Sequence, residues 1–444
     1  MAPKTPNVCM EALLRESGWT YASFVMAVNR IGTEVGHPTS YDESAVHHWL
    51  KGTVPRKEAR AAIVEAMSRR LFRPVTYEEA GFPAPVGHGA ALGTVEGLID
   101  LGRQDMDPSR RSVLGAALFS VAITIPDWPD VVGRAEAFSA GVVTHIGMGE
   151  VQMVQAMTER VSDLDDQFGG RHARPMAAAF LVNTVAGYLR AEAPSHVRKA
   201  MMSAAADLCY LTGYMAVDEG LHGLAQRYYL KALELAGAAD DHLTYCTTLR
   251  GMSVQAVDLG HGRQAMRLAD AAAAASPQAG PRMRAFLAGQ QAHSAAQLGN
   301  SAAAIRFMSQ AERAMDVAES QSKAFGSYDP AALMYHLSQV RHELNDKAGA
   351  VQAMRESTKI AFPHYRRTRV RHLSLTAERQ LDVGQLEAAC ESWNAALNDY
   401  PLVQSGRCDE KMSIMVSRLS PHAKNRQVQA LFRRAQAAGV RVGA

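Results

Sequence analysis

The feature that most constrains the fold is a repeated pattern of small residues in the C-terminal half of the chain. In five stretches a loop Gly or Asn is followed five residues later by Ala, then after four residues by a mostly larger side chain, and usually after three more by Ala. The first positions are spaced by 40, 39, 46 and 39 residues. Small residues at this spacing let two antiparallel helices pack closely and stack on the next pair, so the pattern predicts an array of helix pairs. The three sets of positions are Ala225, Ala265, Ala304, Ala350 and Ala389; Tyr229, Ala269, Met308, Met354 and Trp393; and Ala232, Ala272, Ala311, Ser357 and Ala396.

These stretches resemble the tetratricopeptide repeat, and the resemblance implies an α-solenoid. The period exceeds the roughly 34 residues of a standard repeat, which indicates longer helices or extended loops. We expect residues 170–207 to supply one or two degenerate pairs and residues 412–438 to form a closing helix pair. An unrelated all-helical bundle is the alternative.

The first helix of each pair in such a superhelix lines its inner groove. Aromatic side chains and separated polar groups on those helices could hold a peptide or small-molecule signal by stacking and by directed hydrogen bonds. Ordinary polar groove residues, or a dimer surface, would give the same pattern. The candidate ligand-groove residues are Tyr210, Tyr214, Arg250, His293, Tyr335, Gln339, His342 and Glu378.

A different succession of helices is predicted near the N-terminus. Four helical segments are defined by apolar residues at helical spacing and by residues typical of helix ends. Gly18 and Gly52 act as stops, Thr20 as an N-cap, and Pro55 lies near the start of a helix. In the third segment Val46, Trp49 and Leu50 are expected to face inward. The segments are "MEALLRESGWT", "TYASFVMAVNRIG", "YDESAVHHWLKG" and "PRKEARAAIVEAMSRRLFRPV".

This order resembles the lambda-repressor or Xre type of helix-turn-helix domain, and "SAVHHWLKG" is the matching stretch. The resemblance implies that the third helix enters the DNA major groove, with Trp49 as the core aromatic residue and Gly52 as the helix stop. The loop before this helix, "RIGTEVGHPTSYDE", is longer than in the family. The predicted fold class is therefore all-α, with a lambda-repressor-like helix-turn-helix followed by a tetratricopeptide-repeat-like α-solenoid.

The candidate DNA contacts fall into two groups. Polar outward residues of the third helix could touch bases, and the cations that follow could touch phosphates. Between Lys51 and Arg73 there are seven basic and two acidic residues, a net charge of +5, although the whole chain carries only +3. Asp42 and Glu43 would repel phosphate, and a domain that mediates only protein contacts is the alternative. The candidates are Ser44, His47 and His48 for bases and Lys51, Arg56, Lys57 and Arg60 for phosphates.

The segment "SRRSVLGAALFSVAI", residues 109–123, has the shape of a twin-arginine export signal. It follows more than a hundred residues that are predicted to fold, and its apolar run is shorter than the roughly 20 residues that span a bilayer. We therefore expect an internal connecting helix and a cytoplasmic protein with no membrane partner. The expected domains are 1–82 for the helix-turn-helix, 83–130 for a linker and the connecting helix, and 131–444 for the repeats. The odd number of cysteines, without CxxC spacing, also fits a reducing compartment.

Catalytic and metal-binding motifs are not found in the sequence. There is no P-loop, GxSxG, HExxH or Gly-rich dinucleotide turn, and the pair His47–His48 lacks metal-ligand spacing. The acidic stretch "SDLDDQFGG" lacks the further oxygen ligands of an EF-hand and is interpreted as a helix end and loop. We expect no cofactor, no metal and no enzymatic activity.

The domain combination is similar to two groups of regulators, the peptide-responsive quorum-sensing regulators and, more closely, actinobacterial regulators of the NsdA type. The matching features are "YDESAVHHWLKGTVPR", "SRRLFRPVTYEEAGF" and "DMDPSRRSVLGAAL". The resemblance implies a transcriptional regulator of sporulation and antibiotic production that binds double-stranded DNA, acts as a homodimer and responds to a signal. The alternative is a protein-interaction scaffold or signal receptor whose DNA-binding domain is vestigial.

Overall fold

The computed structural model describes residues 6–34, 39–71, 75–83, 93–106, 145–275, 279–318, 328–360 and 365–442. Within these ranges the chain is all-α, as predicted, and contains helices but no strand. The segment 109–123 and most of the expected linker and connecting helix lie outside the described residues. In the described part of the chain, no helix combines the length and the apolar character that crossing a bilayer requires.

An N-terminal unit of four helices has its own hydrophobic core. Phe24, Trp49, Ile63 and Met67 are buried together there. Val46 belongs to the same core and Leu50 packs against it, so the inward face predicted for the third segment is confirmed. Gly18 adopts a left-handed conformation directly after the first helix, where a side chain would be strained. The helices are α1 (Val8–Ser17), α2 (Tyr21–Glu34), α3 (Glu43–Leu50) and α4 (Lys57–Leu71).

A fifth helix, α5 (Thr94–Met106), lies in the segment that the sequence predicted as linker. It contributes Val95, Leu98 and Leu101 to the hydrophobic core of the larger helical region. Its buried Asp105 forms an ion pair with Arg174 and accepts a hydrogen bond of 3.0 Å from the hydroxyl of Tyr228. Helix α5 is therefore packed as part of the larger region.

The larger region continues as a succession of helices in which neighbours along the chain pack as pairs. Between α7 and α8 a π-helical turn, Leu181–Val185, continues the helical path. The helices are α6 (Met148–Phe168), α7 (Gly170–Phe180), α8 (Ala186–Arg190), α9 (Ser195–Asp218), α10 (His222–Ala239), α11 (His242–Asp258), α12 (Gly262–Ala274), α13 (Pro281–Gln297), α14 (Ser301–Asp316), α15 (Pro330–Glu343), α16 (Lys347–Ile360), α17 (Arg366–Asp382), α18 (Leu386–Asp399), α19 (Gly406–Leu419) and α20 (Arg426–Ala437).

The repeated positions of the sequence pattern lie in the second helix of each pair, in α10, α12, α14, α16 and α18. Every one of the fifteen positions is buried, with at most 4% of its surface exposed. Small residues at these positions allow the close approach of the paired helices, and the larger Tyr229, Met308, Met354 and Trp393 are buried as well. The register predicted from spacing is therefore confirmed, and the expected closing pair corresponds to α19 and α20.

Candidate functional site

Helix α3 begins at a side-chain cap. The Oδ1 atom of Asp42 accepts a hydrogen bond of 3.1 Å from the backbone N–H of Ala45, which satisfies one of the free donors at the helix N-terminus. Val46 and Trp49 are buried, and Gly52 has a φ of 89° just beyond the helix end. These features fix both ends of a short helix and the direction of its buried face.

Asn29 of α2 holds the end of the loop that leads to α3. Its Oδ1 atom accepts hydrogen bonds from the backbone N–H of Tyr41 and the hydroxyl of Thr39, both at 2.9 Å. Its Nδ2 atom donates to the carbonyl oxygen of Tyr41 at 2.8 Å. The half-buried Asn29 of α2 therefore positions the start of α3, although the loop is long.

The outward face of α3 carries the polar residues singled out as candidate base contacts. Ser44, His47 and His48 are all exposed. The ring of His47 makes an edge contact with the ring of Tyr21, with centroids 4.9 Å apart. Ser44 and His48 are one helical turn apart, and the exposed Lys51 follows at the helix end, so these three form a single polar stripe.

The basic run that follows α3 is less available to a partner than its charge count indicated. Arg56 is exposed, but Arg60 is half-buried and donates a hydrogen bond of 3.0 Å to the carbonyl oxygen of Pro83. Arg69 is half-buried and pairs with the buried Glu65 at 2.8 Å. Arg70 donates to the carbonyl oxygen of Ser17 at 2.8 Å and lies over the ring of Trp19. These last three cations stabilise the unit internally. The side chain of Lys57 and the whole of Arg73 lie outside the described residues.

Two acidic residues border the stripe. Asp42 and Glu43 are exposed at the start of α3, next to Ser44. Their charges stabilise the helix N-terminus through its dipole, and they also repel a phosphate that approaches from that end. The opposite end of the stripe carries the cation Lys51 and is followed along the chain by the exposed Arg56. That end is therefore the favourable side for an anionic partner.

The candidate groove residues lie on the first helices of the pairs, as predicted, on α9, α11, α13, α15 and α17. Tyr210, His293 and Glu378 are buried, and the remaining five are partly buried. Burial raises the pKa of the Tyr210 hydroxyl to about 12 and lowers the pKa of His293 to about 4, so both are neutral near pH 7.

Several candidate groove residues contact side chains of neighbouring helices. The guanidinium of Arg250 lies 3.9 Å from the ring centroid of Phe286. Tyr335 stacks on His372 with centroids 5.1 Å apart. Gln339 accepts a hydrogen bond of 3.0 Å from a guanidinium N–H of Arg379.

Three further groove residues have partners on α17 and α19. Tyr214 has the guanidinium of Arg367 at 5.2 Å from its ring centroid. His342 lies 3.2 Å from a carboxylate oxygen of Asp382, and Glu378 accepts a hydrogen bond of 2.9 Å from Lys411. A ligand on this face would therefore have to replace contacts that the chain already makes.

The sequence reasoning missed a set of ion pairs between the two ends of the helical succession. Asp165, interpreted as part of a helix end and loop, lies within α6, is buried, and pairs with Arg367 at 2.8 Å. Burial acts to raise the pKa of Asp165, and the guanidinium of Arg367 opposes that shift by stabilising the charged carboxylate. Arg407 of α19 pairs with Asp258 of α11. The partners are separated by 149 or more residues, and no local pattern in the sequence could have paired them.

The described residues contain no group of three or more His, Cys, Asp or Glu side chains arranged to hold a metal ion. All five cysteines are free thiols, and four of them are buried.

Residues 10–83 match the family model described as SP15 N-terminal domain, and this range coincides with the four-helix N-terminal unit. No curated protein matches the chain.

Proposed function

We propose that this chain is a sequence-specific DNA-binding transcriptional regulator, with a lambda-repressor-like helix-turn-helix in α1 to α4 and a tetratricopeptide-repeat-like α-solenoid in the following helices. The observation that carries the proposal is the stripe of Ser44, His48 and Lys51 on α3. It is exposed on a short helix whose opposite face is locked into a core by Trp49. A rigid helix with polar residues one turn apart fits the major groove of double-stranded DNA.

The regulator would be cytoplasmic and would act as a homodimer, since helix-turn-helix proteins of this kind commonly read paired half-sites. Its resemblance to actinobacterial regulators of the NsdA type supports a role in sporulation and antibiotic production. A role in binding rather than catalysis agrees with the lack of catalytic motifs in the sequence.

Base readout and phosphate contact can be separated by mutation. His48→Ala and Ser44→Ala should reduce the preference for the operator by about 1–3 kcal/mol each, because each would remove a base contact. Arg56→Ala should weaken binding to all sequences alike and lower the slope of log K against log salt by about 0.9. If operator and bulk DNA bind wild-type protein equally in a footprinting experiment, the proposal fails.

The solenoid is proposed as the sensor of a peptide or small-molecule signal. Tyr214, Arg250 and Tyr335 are partly buried and lie on the first helices α9, α11 and α15, so a ligand could reach them by displacing their internal partners. Replacing these three residues together with Ala should abolish the response of operator affinity to cell extract and preserve basal DNA binding. Equal responses of wild type and triple variant would rule out this face as the sensor.

A protein-interaction scaffold is the second candidate. The exposed carboxylates of Asp42 and Glu43 favour it, as does the ion pair of Arg69 with Glu65, which neutralises one of the cations that follow α3. This candidate predicts the absence of operator preference in the same footprinting experiment.

A further inference from the structure

The two ends of the helical succession meet. Helix α17 packs against α6, and the residues before α19 reach the junction of α6 and α7. The backbone N–H of Gln404 donates to the carbonyl oxygen of Phe168 at 2.7 Å, and the backbone N–H of Arg171 donates to the carbonyl oxygen of Gln404 at 3.2 Å. The helices from α6 to α19 therefore form a closed ring, and we call residues 404–409 the latch segment.

Glycines allow the backbones to approach each other at this contact. A Cβ atom at Gly406 would lie 2.9 Å from the carbonyl oxygen of Asp218, and one at Gly169 would clash with the carbonyl group of Gln404. Gly169 also has a φ of 92°, which side chains rarely adopt. The closed arrangement depends on the absence of side chains on both sides of the contact.

Charged groups hold the ring closed on its inner side. Arg367 of α17 pairs with Asp165 at 2.8 Å and with Asp166 at 3.0 Å, and one of its guanidinium nitrogens lies 3.7 Å from Asp218 of α9. A single guanidinium thus joins the last part of the ring to two helices of the first part.

The latch segment adds further polar contacts. Ser405 donates a hydrogen bond of 2.9 Å to Asp218, and Arg407 pairs with Asp258 of α11. Asp409 accepts a hydrogen bond of 2.9 Å from Arg171 of α7.

Among the described residues, no hydrophobic cluster spans the contact that closes the ring. In the described residues of the ring, one hydrophobic cluster runs from α5 to α13, a second from α13 to α15 and a third from α17 to α20. No cluster has members from both α6, α7 or α9 and α17 or α19. Apolar burial stabilises each part of the ring separately, whereas the closing contact relies on hydrogen bonds and ion pairs, whose charged groups can be solvated when they separate.

We propose that the latch segment is a separable closure, and that the ring opens between α6–α9 and α17–α19 while its three hydrophobic clusters stay folded. The opening moves Arg407 away from Asp258 and from Tyr214, with which its charge interacts in the closed ring. The inner face that carries these side chains becomes accessible in the open state. The proposal concerns the ring alone and holds whether or not the protein binds DNA.

The distance between the two sides of the contact tests the proposal. Spin labels attached through Glu159→Cys on α6 and Glu410→Cys on α19, both exposed positions, report this distance by pulsed electron paramagnetic resonance. A Cys9→Ser background removes the exposed native thiol. Gly406→Ala should shift the distance distribution to longer values without loss of helical circular dichroism, because a methyl group at this position meets the backbone of α9.

Gly187→Ala is the matched control, since a Cβ there meets nothing within 4 Å, and it should keep the wild-type distribution. Arg367→Gln provides a second variant, which should lengthen the distance in the same way by removing the shared cation. An unchanged distance in both Gly406→Ala and Arg367→Gln would overturn the proposal. Lengthening that occurs only together with loss of helical content would also overturn it, because the contact would then be inseparable from the fold.

Discussion

Acid should destabilise the protein through buried neutral histidines, and His293 provides the clearest test. It lies on α13, is 6% exposed, and its ring centroid is 6.2 Å from that of His336. Burial lowers the pKa of His293 to about 4; nearby Arg379 and Arg250 act in the same direction and Asp258 opposes them. The change to test is His293→Gln, which removes the titrating ring and keeps a polar side chain.

The sign and size of the effect follow from proton linkage. The folded state keeps His293 neutral, whereas the unfolded chain binds a proton below a pKa of about 6.5, so stability is lost as the pH falls from about 6.5 towards 4. At pH 5 the unfolded chain binds nearly one more proton at this residue than the folded protein does. Integrated from pH 7 to pH 5, this difference lowers the free energy of unfolding by about 2 kcal/mol. Wild-type protein should therefore lose about 2 kcal/mol more than the variant over this interval, because contributions from other groups such as Asp165 are common to both.

The assay is urea unfolding at pH 7 and at pH 5, with circular dichroism as the measure of the folded fraction. His422→Gln changes an exposed histidine in the same way and should show the wild-type pH dependence. Equal losses of stability in wild type and His293→Gln would refute the reasoning, since they would mean that the folded protein binds a proton at His293 as readily as the unfolded chain.

Three further predictions concern packing and buried charge. Trp393→Ala should lower the free energy of unfolding by about 3–5 kcal/mol, because Trp393 is fully buried in the hydrophobic cluster of α17 to α20; urea denaturation measures this. Gly213→Ala should lower the melting temperature, since its Cβ would lie 2.8 Å from the ring of Tyr229, whereas Gly187→Ala should leave it unchanged or raise it. Arg174→Met should cost about 3–5 kcal/mol by removing the cation that pairs with the buried carboxylate of Asp105, and an unaltered urea midpoint would contradict this.

The sequence predicted the parts of the fold that local patterns encode. The spacing of Ala225, Ala265 and their equivalents predicted which face of each of five helices is buried. This is possible because residues three or four positions apart lie on the same face of a helix. The inward position of Trp49 was likewise visible from its neighbours along α3. Periodicity carries this information because each helix pair packs mainly on the pairs adjacent in sequence.

What the sequence did not reveal depends on contacts between distant segments. The charge count around α4 treated Arg60, Arg69 and Arg70 as surface cations, but each has a partner within the N-terminal unit. The pairing of Arg367 with Asp166 joins residues 201 positions apart. A charged residue looks the same in a sequence whether it is solvated or paired, so only the three-dimensional arrangement separates the two.

The linker shows the same limit. Helix α5 lies within residues 83–130, which the sequence predicted as a linker and a connecting helix. Its apolar face has a helical period, yet the partner of that face, on α7 and α10, comes from residues far along the chain.

The central claim is sequence-specific DNA binding through α3, and selection from a random double-stranded DNA library tests it most directly. Full-length protein should enrich one motif, and His48→Ala should lose the preference at one position of each half-site while Arg56→Ala keeps the motif with weaker binding at every sequence. A library that remains random after repeated selection with folded wild-type protein would contradict the claim.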